Sequence, residues 1–436
     1  MKRRLHLAAI LALLLPSAVS ALEIQQVESP GGIKAWLVED HSIPFTAMEI
    51  SFLGGTALEA DDKIGATYLL TGMFQEGAGD LDAQTYQQRE IELAASFSFE
   101  AYTESISVSL RFLTESRDES MALLRLALTE PRFDSDRLEF VRSQVLAIIA
   151  DKETDPGEIG SEAVDRLTYG DHPFARPIEG TAETVAALTA EDLEAARRRA
   201  LTRDGVVVAA AGDITGEDLG ILLDDLLEGF PASVNEPAAR PEFLLSGGTT
   251  VVEFPTPQSL ILFLHEGFLR NDPDFLVAYV MNEMLGSQRF DSRLNEEVRR
   301  KRGLTYGIST YLGAHSNSGF IAGEFSTSNE SVAEAIDIVK AEWAKMAGEG
   351  VSEEELERVK TYLTGAYPLR FDGNGRIAGI LAAMQFDKLP ASYVDNRNDM
   401  VNALTVEDIN RVAARLLDPE RLHFVVVGMP EGLAEE

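Results

Sequence analysis

The chain contains no cysteine. That excludes disulfide staples, thiol catalysis and thiolate metal sites together. Histidine is scarce, with 6 in 436 residues, and no two stand four apart, the spacing by which a helix aims two imidazoles at a shared metal. Beyond residue 21 no apolar run reaches the roughly 18 residues needed to cross a bilayer, so no stable membrane insertion is expected. Positive charge is in deficit: 38 Lys and Arg face 72 Asp and Glu, a formal net charge of −34. Nucleic acids and anionic membrane surfaces are repelled by such a chain, and nucleic acid is excluded as a partner. A solvated acidic surface that favours solubility is the first reading of this charge; attraction of basic polypeptides is the second.

At the N-terminus, "MKRR" is a basic stretch, "LHLAAILALLLPSA" an apolar one, and "AVSA" ends in small residues. This is the layout of an export signal cleaved after about Ala21. The expected mature chain starts at Leu22, loses Lys2, Arg3 and Arg4, and stands at −37. Hydrophobic residues make up 45% and charged residues 25%, which suits a large buried core without disulfides.

The chain repeats itself. "LTAEDLEAARRRALTRDGVVVAAAGDIT" from Leu188 parallels "LTVEDINRVAARLLDPERLHFVVVGMPE" from Leu404, an offset of 216. Each reads as a capping Thr (Thr189, Thr405), a helix, a turn, an apolar strand and a glycine. Asp192 and Asp408 follow three residues after the caps, with Glu191 and Glu407 beside them, as helix N-termini favour. "FDSDRLEFVRSQVLAII" near Phe133 parallels "VSEEELERVKTYLTGAY" near Val351, with Leu138 matching Leu356 at an offset of 218. A tandem duplication follows, with an N-terminal half over 22–228, a linker over 229–250 and a C-terminal half over 251–436. The linker assignment rests on Pro, Ala, Ser and Gly without periodicity.

Within the first half, "GIKAWLVED" and "PFTAMEISFLGG" read as strands, "DAQTYQQREIELAAS" as a helix, and "SFSFEAYTESISVSLRFL" as a hairpin. "RDESMALLRLALTEP" is a helix stopped by Pro131. The expected class is α+β: two similar halves, each a mainly antiparallel sheet flanked by helices. "GATYLLTGMFQEGAG" predicts a helix opening at Gly65 and closing near Gly77, with Gly72 inside it at a cost of about 1 kcal/mol relative to Ala, so that this helix is not tuned for stability.

The order of these elements resembles the pitrilysin or insulinase family of zinc peptidases, whose processing-peptidase-like fold carries an inverted H-x-x-E-H motif. "VEDHSIPFTAMEISFLGGTALEADDKIGATYLLTGMF" is similar to the family's first strands and metal helix. "DHPFARPIEGTAETVAALTAEDL" is similar to its substrate-side loop, and "DPDFLVAYVMNEMLGSQRFDSRLNEEVRRKRGLTYGIST" to the signature of its C-terminal half. In the family, two histidines share zinc, the Glu between them activates the metal-bound water, and a distal Glu completes the ligand set. Here the His-Glu-His positions hold Tyr68, Thr71 and Gly72, and the distal position falls among apolar residues at 147–149 of "VLAIIADKE". The resemblance therefore implies no metal bound by this chain and no activity of the chain alone. His41, His172, His265, His315 and His423 read as structural or surface residues.

"VRRKRGLTYG" resembles the family stretch carrying an Arg and a Tyr seven apart, here Arg299 and Tyr306. The resemblance implies that the Arg orients substrate backbone and that the Tyr hydroxyl donates to the developing oxyanion of another chain's zinc site. Gly303 is expected to make the turn between helix and strand, and Arg300, Lys301 and Arg302 to be solvated charges at a helix C-terminus. The chain thus resembles the non-catalytic subunit type that lacks the zinc motif but keeps the Arg/Tyr pair. That type implies a bacterial, periplasmic heterodimer with a homologous H-x-x-E-H subunit, which carries the zinc, and unfolded or short peptides as substrates. Two other readings stay open: a structural or peptide-binding family member outside proteolysis, and an atypical stand-alone hydrolase.

Overall fold

The computed structural model describes residues 22–232, 238–315 and 318–433; the proposed export signal lies outside the described residues. Two mixed sheets carry the chain. The first has the strand order Gln25–Glu28, Lys34–Glu39, Val207–Gly212, Phe45–Leu53, Ser105–Leu113, Ser96–Ala101. The second runs Gly248–Glu253, His423–Gly428, Gln258–Glu266, Ser318–Ser328, Ile308–His315. The last five strands of the first order match the second one for one. Each set contains a single parallel pair at the same place, Lys34–Glu39 with Val207–Gly212 and Gly248–Glu253 with His423–Gly428. The other ladders are antiparallel. Val207 and His423, which open equivalent strands, are 216 residues apart, the offset of the repeated pattern.

Local chemistry explains the repeated helices. Thr189 and Asp192 form a reciprocal capping box on Ala190–Ala200, and Thr405 and Asp408 form the same box on Val406–Leu416. The backbone N–H of Thr189 donates to Asp192 at 2.9 Å and that of Thr405 to Asp408 at 3.0 Å. Each box satisfies donors that a helix start leaves free. The linker assignment needs one correction. Its last residues, Gly248–Thr250, belong to a strand, since Thr249 and Thr250 pair in parallel with Phe424 and Val425; the β-branched run "TTVV" favours that conformation.

Each half lends a helix to the other. Asn374–Phe386 leaves the second half and lies across the first sheet, where Ile377, Leu381, Ala382 and Met384 pack on Val38, Ala209 and Ala211. Gln385 fixes the docking by donating to the Val208 carbonyl at 2.8 Å. Pro156–Tyr169, its counterpart 218 residues earlier, lies on the second sheet. There Gly160 permits close approach: a Cβ would stand 2.4 Å from Cδ1 of Leu262. In the "VVAAAG" strand, Ala209 and Ala211 face the borrowed helix while Val208 and Ala210 face the first core, the alternation of a strand buried on both sides.

Candidate functional site

The helix at the family's metal position spans Ala66–Met73. Gly65 precedes it at φ 93°, the left-handed region open to glycine, and has no side chain to act as a cap. The cap comes from elsewhere. The buried carboxylate of Glu59 accepts from the backbone N–H of Gly65 at 2.8 Å and of Thr67 at 2.6 Å. Arg199 lies 3.7 Å from the same carboxylate and donates to the Thr67 hydroxyl at 2.8 Å. Burial pushes the Glu59 carboxyl up, and its bonds to Thr67 and Gly65 oppose that. Sequence reasoning missed Glu59 because nothing in the spacing shows that the intervening turn folds back onto the helix start.

On the helix, Leu69, Leu70 and Met73 are buried in the first core, and Tyr68 packs at its edge. Thr71 turns its hydroxyl back to the Tyr68 carbonyl at 2.7 Å. Gly72 has a packing role that overturns the reading of an untuned helix. A Cβ there would stand 2.7 Å from Cγ1 of Val141 on the crossing helix Ser135–Lys152. A larger residue there would have to displace the Val141 side chain. On that second helix Ala147 and Ile148 are exposed and Ile149 is half-buried.

Positive charge near Tyr68 comes from Lys152, whose ammonium lies 2.6 Å from Glu179 and 2.8 Å from Glu158. Glu179 is buried. Burial pushes the Lys152 pKa down, but the two carboxylates outweigh it and hold it above the ordinary lysine value. Lys152 and Ile149 line a cavity of about 380 Å³ where the halves meet, with Glu158, Asp165 and His315 on other walls. Burial raises Asp165 to about 6. His315, from the second sheet, packs against Phe174 at 4.7 Å between ring centres, and burial lowers its pKa.

These residues do not fit a zinc ion. Tyr68, Thr71 and Gly72 offer no imidazole or carboxylate, Val141 occupies the space beside Gly72, and a lysine ammonium neutralises the nearby Glu179. Among the described residues no three His, Asp or Glu side chains converge as a metal-holding group. The remaining histidines are engaged as follows. His41 bridges Glu39 and Asp213 on the surface, His172 caps the turn at Phe174, and His423 contacts Thr250 and the Ser246 carbonyl. His265 is buried and accepts the indole N–H of Trp343 at 3.1 Å.

The second candidate site lies in the second half. Asn295–Arg300 is wound as a π-helix, with the Lys301 N–H reaching the Glu296 carbonyl five residues back at 3.0 Å. Such segments recur where a side chain is presented for function. The guanidinium of Arg299 lies 4.6 Å from the centre of the Phe290 ring and makes no ion pair among the described residues. Its neighbours differ: Arg300 pairs with Glu296, and Lys301 and Arg302 pair with Glu297, as expected of surface charges at a helix end. Gly303, at φ 67°, makes the expected turn.

Tyr306 follows on the loop and is 89% exposed. Buried Asn295 ties the loop down, donating to the carbonyls of Ile308 at 2.9 Å and Ser287 at 3.3 Å. Thr327 donates to the Leu304 carbonyl at 2.6 Å from the other side. Arg299 and Tyr306 line one open cavity of about 490 Å³, together with Phe290, Gln258 and Glu324. This is a different cavity from that beside Lys152.

Known proteins share this architecture. Residues 34–182 match the family model described as Insulinase (Peptidase family M16), and residues 187–363 match that described as Peptidase M16 inactive domain. The chain belongs to the M16 peptidase family, among its inactive homologues. It is 25% identical over 418 residues to the non-peptidase homolog YmxG of Helicobacter pylori, covering 94% of each chain. It is 27% identical over 300 residues to an uncharacterized zinc protease of Streptomyces coelicolor, covering 66% of this chain and 64% of that one. The crystal structure of a peptidase M16 inactive domain from Pseudomonas fluorescens superposes with a TM-score of 0.87 at 27% identity, covering 95% of this chain and 99% of that one. A protease structure from Helicobacter pylori has the same fold, with a TM-score of 0.83 at 14% identity, covering 93% and 99%.

Proposed function

We propose that this chain is the substrate-binding, non-catalytic subunit of a periplasmic heterodimeric zinc metallopeptidase. The observation that carries this reading is a contrast between the halves. The first lacks the donors and the space for a metal at the motif positions, while the second keeps a guanidinium with no ion pair among the described residues and an exposed phenol on one open cavity. A solvated tyrosine held on a loop that buried Asn295 ties down gains no stability from its exposure, which favours an external partner for its hydroxyl.

In the proposed pair, Arg299 orients a peptide through its backbone carbonyls. Tyr306 donates its hydroxyl to the carbonyl oxygen of the scissile bond as negative charge gathers there, and does so with little reorganisation. The homologous partner, bearing an intact H-x-x-E-H motif, supplies the zinc and the activated water.

Affinity purification of the full chain from the bacterium that produces it tests the reading. Recovery of an H-x-x-E-H chain, with zinc and chelator-sensitive peptide hydrolysis in the pair but in neither chain alone, is expected. Recovery of the chain without such a partner favours a structural or peptide-binding role outside proteolysis. Stoichiometric zinc and hydrolysis in the isolated chain contradict the proposal.

A further inference from the structure

Ser309, Tyr311 and His315 share one face of the edge strand Ile308–His315, as alternate residues of a strand do. Each lines a different cavity. Ser309 lines that of Arg299 and Tyr306, His315 that beside Lys152, and Tyr311 a pocket of about 240 Å³. At about 3.3 Å per residue, Tyr311 stands about 7 Å along the strand from Ser309 and about 13 Å from His315. The neighbouring strand repeats the order: Glu324, opposite Ser309, lines the first cavity, and Ala322, opposite Tyr311, lines the pocket. An extended polypeptide laid along this face from Tyr306 would meet the pocket next.

The pocket lies beneath the lent helix Pro156–Tyr169 and is smaller than small-molecule sites of roughly 300–1,000 Å³, so it suits a single side chain. Its floor is apolar, made by Leu262, Leu264 and Ala322. Tyr311 and Phe320 wall it, with ring centres 6.2 Å apart and planes nearly perpendicular. Gly313 makes room for the Phe320 ring, since a Cβ there would stand 2.1 Å from its Cζ. The polar wall is Asp165 of the helix.

Asp165 is half-buried and has no hydrogen bond and no ion pair among the described residues. Burial, and next the charge of Glu162, raise its carboxyl to about 6. The cations of the adjoining cavity and helix are taken: Lys152 by Glu179 and Glu158, Arg176 by Asp61, Arg166 by Glu162. His315 faces Glu104 at 3.9 Å. A carboxylate withdrawn from water without a counter-charge is costly, and a cation from outside would relieve that cost. A net charge of −34 draws basic polypeptides toward the chain.

We infer that this pocket takes an arginine side chain of a bound peptide, its guanidinium between Asp165 and the Tyr311 ring and its stem over Leu262 and Ala322. The planar fork matches a carboxylate and stacks on an aromatic face, and the methylenes cover the apolar floor. The inference rests on the proposed peptide-binding role and adds to it a preference for basic sequences.

Calorimetry on the full chain tests it with two probes, N-acetyl-Ala-Ala-Arg-Ala-Ala-amide and the same peptide with citrulline, which keeps the shape of arginine without its charge. The arginine peptide is expected to bind tighter by roughly tenfold or more, the worth of a charge-assisted hydrogen bond. Asp165→Asn keeps the shape, removes an uncompensated carboxylate and is expected to abolish the preference without lowering the melting temperature. Equal binding of the two peptides, binding of neither, or a preference that survives Asp165→Asn overturns the inference. The assay needs neither partner nor turnover. A preference in the single chain beside a pair that hydrolyses nothing keeps the pocket and sinks the proteolytic role; hydrolysis by the pair without the preference does the reverse.

Discussion

A Cβ on Gly72 would stand 2.7 Å from Cγ1 of Val141, inside contact distance. The helix Ala66–Met73 is pressed against Ser135–Lys152 at this point, and the glycine makes that contact possible. Gly72→Ala improves helix propensity by about 1 kcal/mol, yet overpacking in a formed core costs about 1–3 kcal/mol. A net loss of stability is expected in urea unfolding. In a Val141→Ala background the same substitution is expected to be neutral or stabilising; a loss of equal size in both backgrounds would show that the contact with Val141 is not the cause.

Glu59 caps the same helix from a distance. Its side chain is fully buried, accepts two backbone N–H groups and lies beside Arg199. Glu59→Ala leaves those two buried donors without their acceptor and removes the carboxylate beside the half-buried Arg199, so a loss of about 1–3 kcal/mol for each unmet donor is expected. Glu59→Gln, which keeps one acceptor, is expected to cost less. Denaturant titration of both variants measures the order, and equal losses would show that the packing volume, not the acceptor, matters.

Burial holds the His265 imidazole down at about 4, while the unfolded chain titrates near the ordinary value of about 6.5. Between these values the unfolded state takes up the proton first. The contribution of His265 is therefore complete above about pH 6.5 and is lost as pH falls toward 4, by about 3 kcal/mol in all. His265→Gln keeps an acceptor for the Trp343 indole and removes the titration. Unfolding free energies at neutral pH and at about pH 5 are expected to differ less in the variant than in the parent chain; an unchanged difference would place the acid sensitivity elsewhere.

The parts of the fold legible in sequence were the local ones. The Thr189 and Thr405 boxes and the paired apolar strands depend on residues within a few positions, so the duplication could be read at its offset of 216. The exchange of Pro156–Tyr169 and Asn374–Phe386 could not. Two apolar faces on a helix announce burial but not which sheet receives it, and the receiving strand is named only by its small Ala209 and Ala211. That Arg299 and Tyr306 line one cavity was legible through the family resemblance of "VRRKRGLTYG", since the two follow one another along the chain around the Gly303 turn. Asn295, which ties down the Tyr306 loop, and His315, brought to the interface from the second sheet, depend on tertiary pairing that spacing does not reveal.

Arg299→Ala removes the one guanidinium of its basic run that lacks a carboxylate partner among the described residues. Its main effect is expected on substrate binding: KM rises while the assembled pair elutes unchanged from a sizing column. A fall in kcat alone would assign Arg299 to the chemical step instead.

The most direct measurement is peptide turnover by the reconstituted pair carrying Tyr306→Phe. The substitution deletes one exposed hydroxyl and leaves the ring, so folding and assembly are expected to persist. Loss of one preorganised oxyanion donor corresponds to roughly 100- to 1,000-fold in kcat, or about 2.7–4 kcal/mol. A fall of that size with the pair intact by size exclusion is the predicted result. Turnover at the unmodified rate by an intact pair would contradict the account and leave this chain a structural member of the pair.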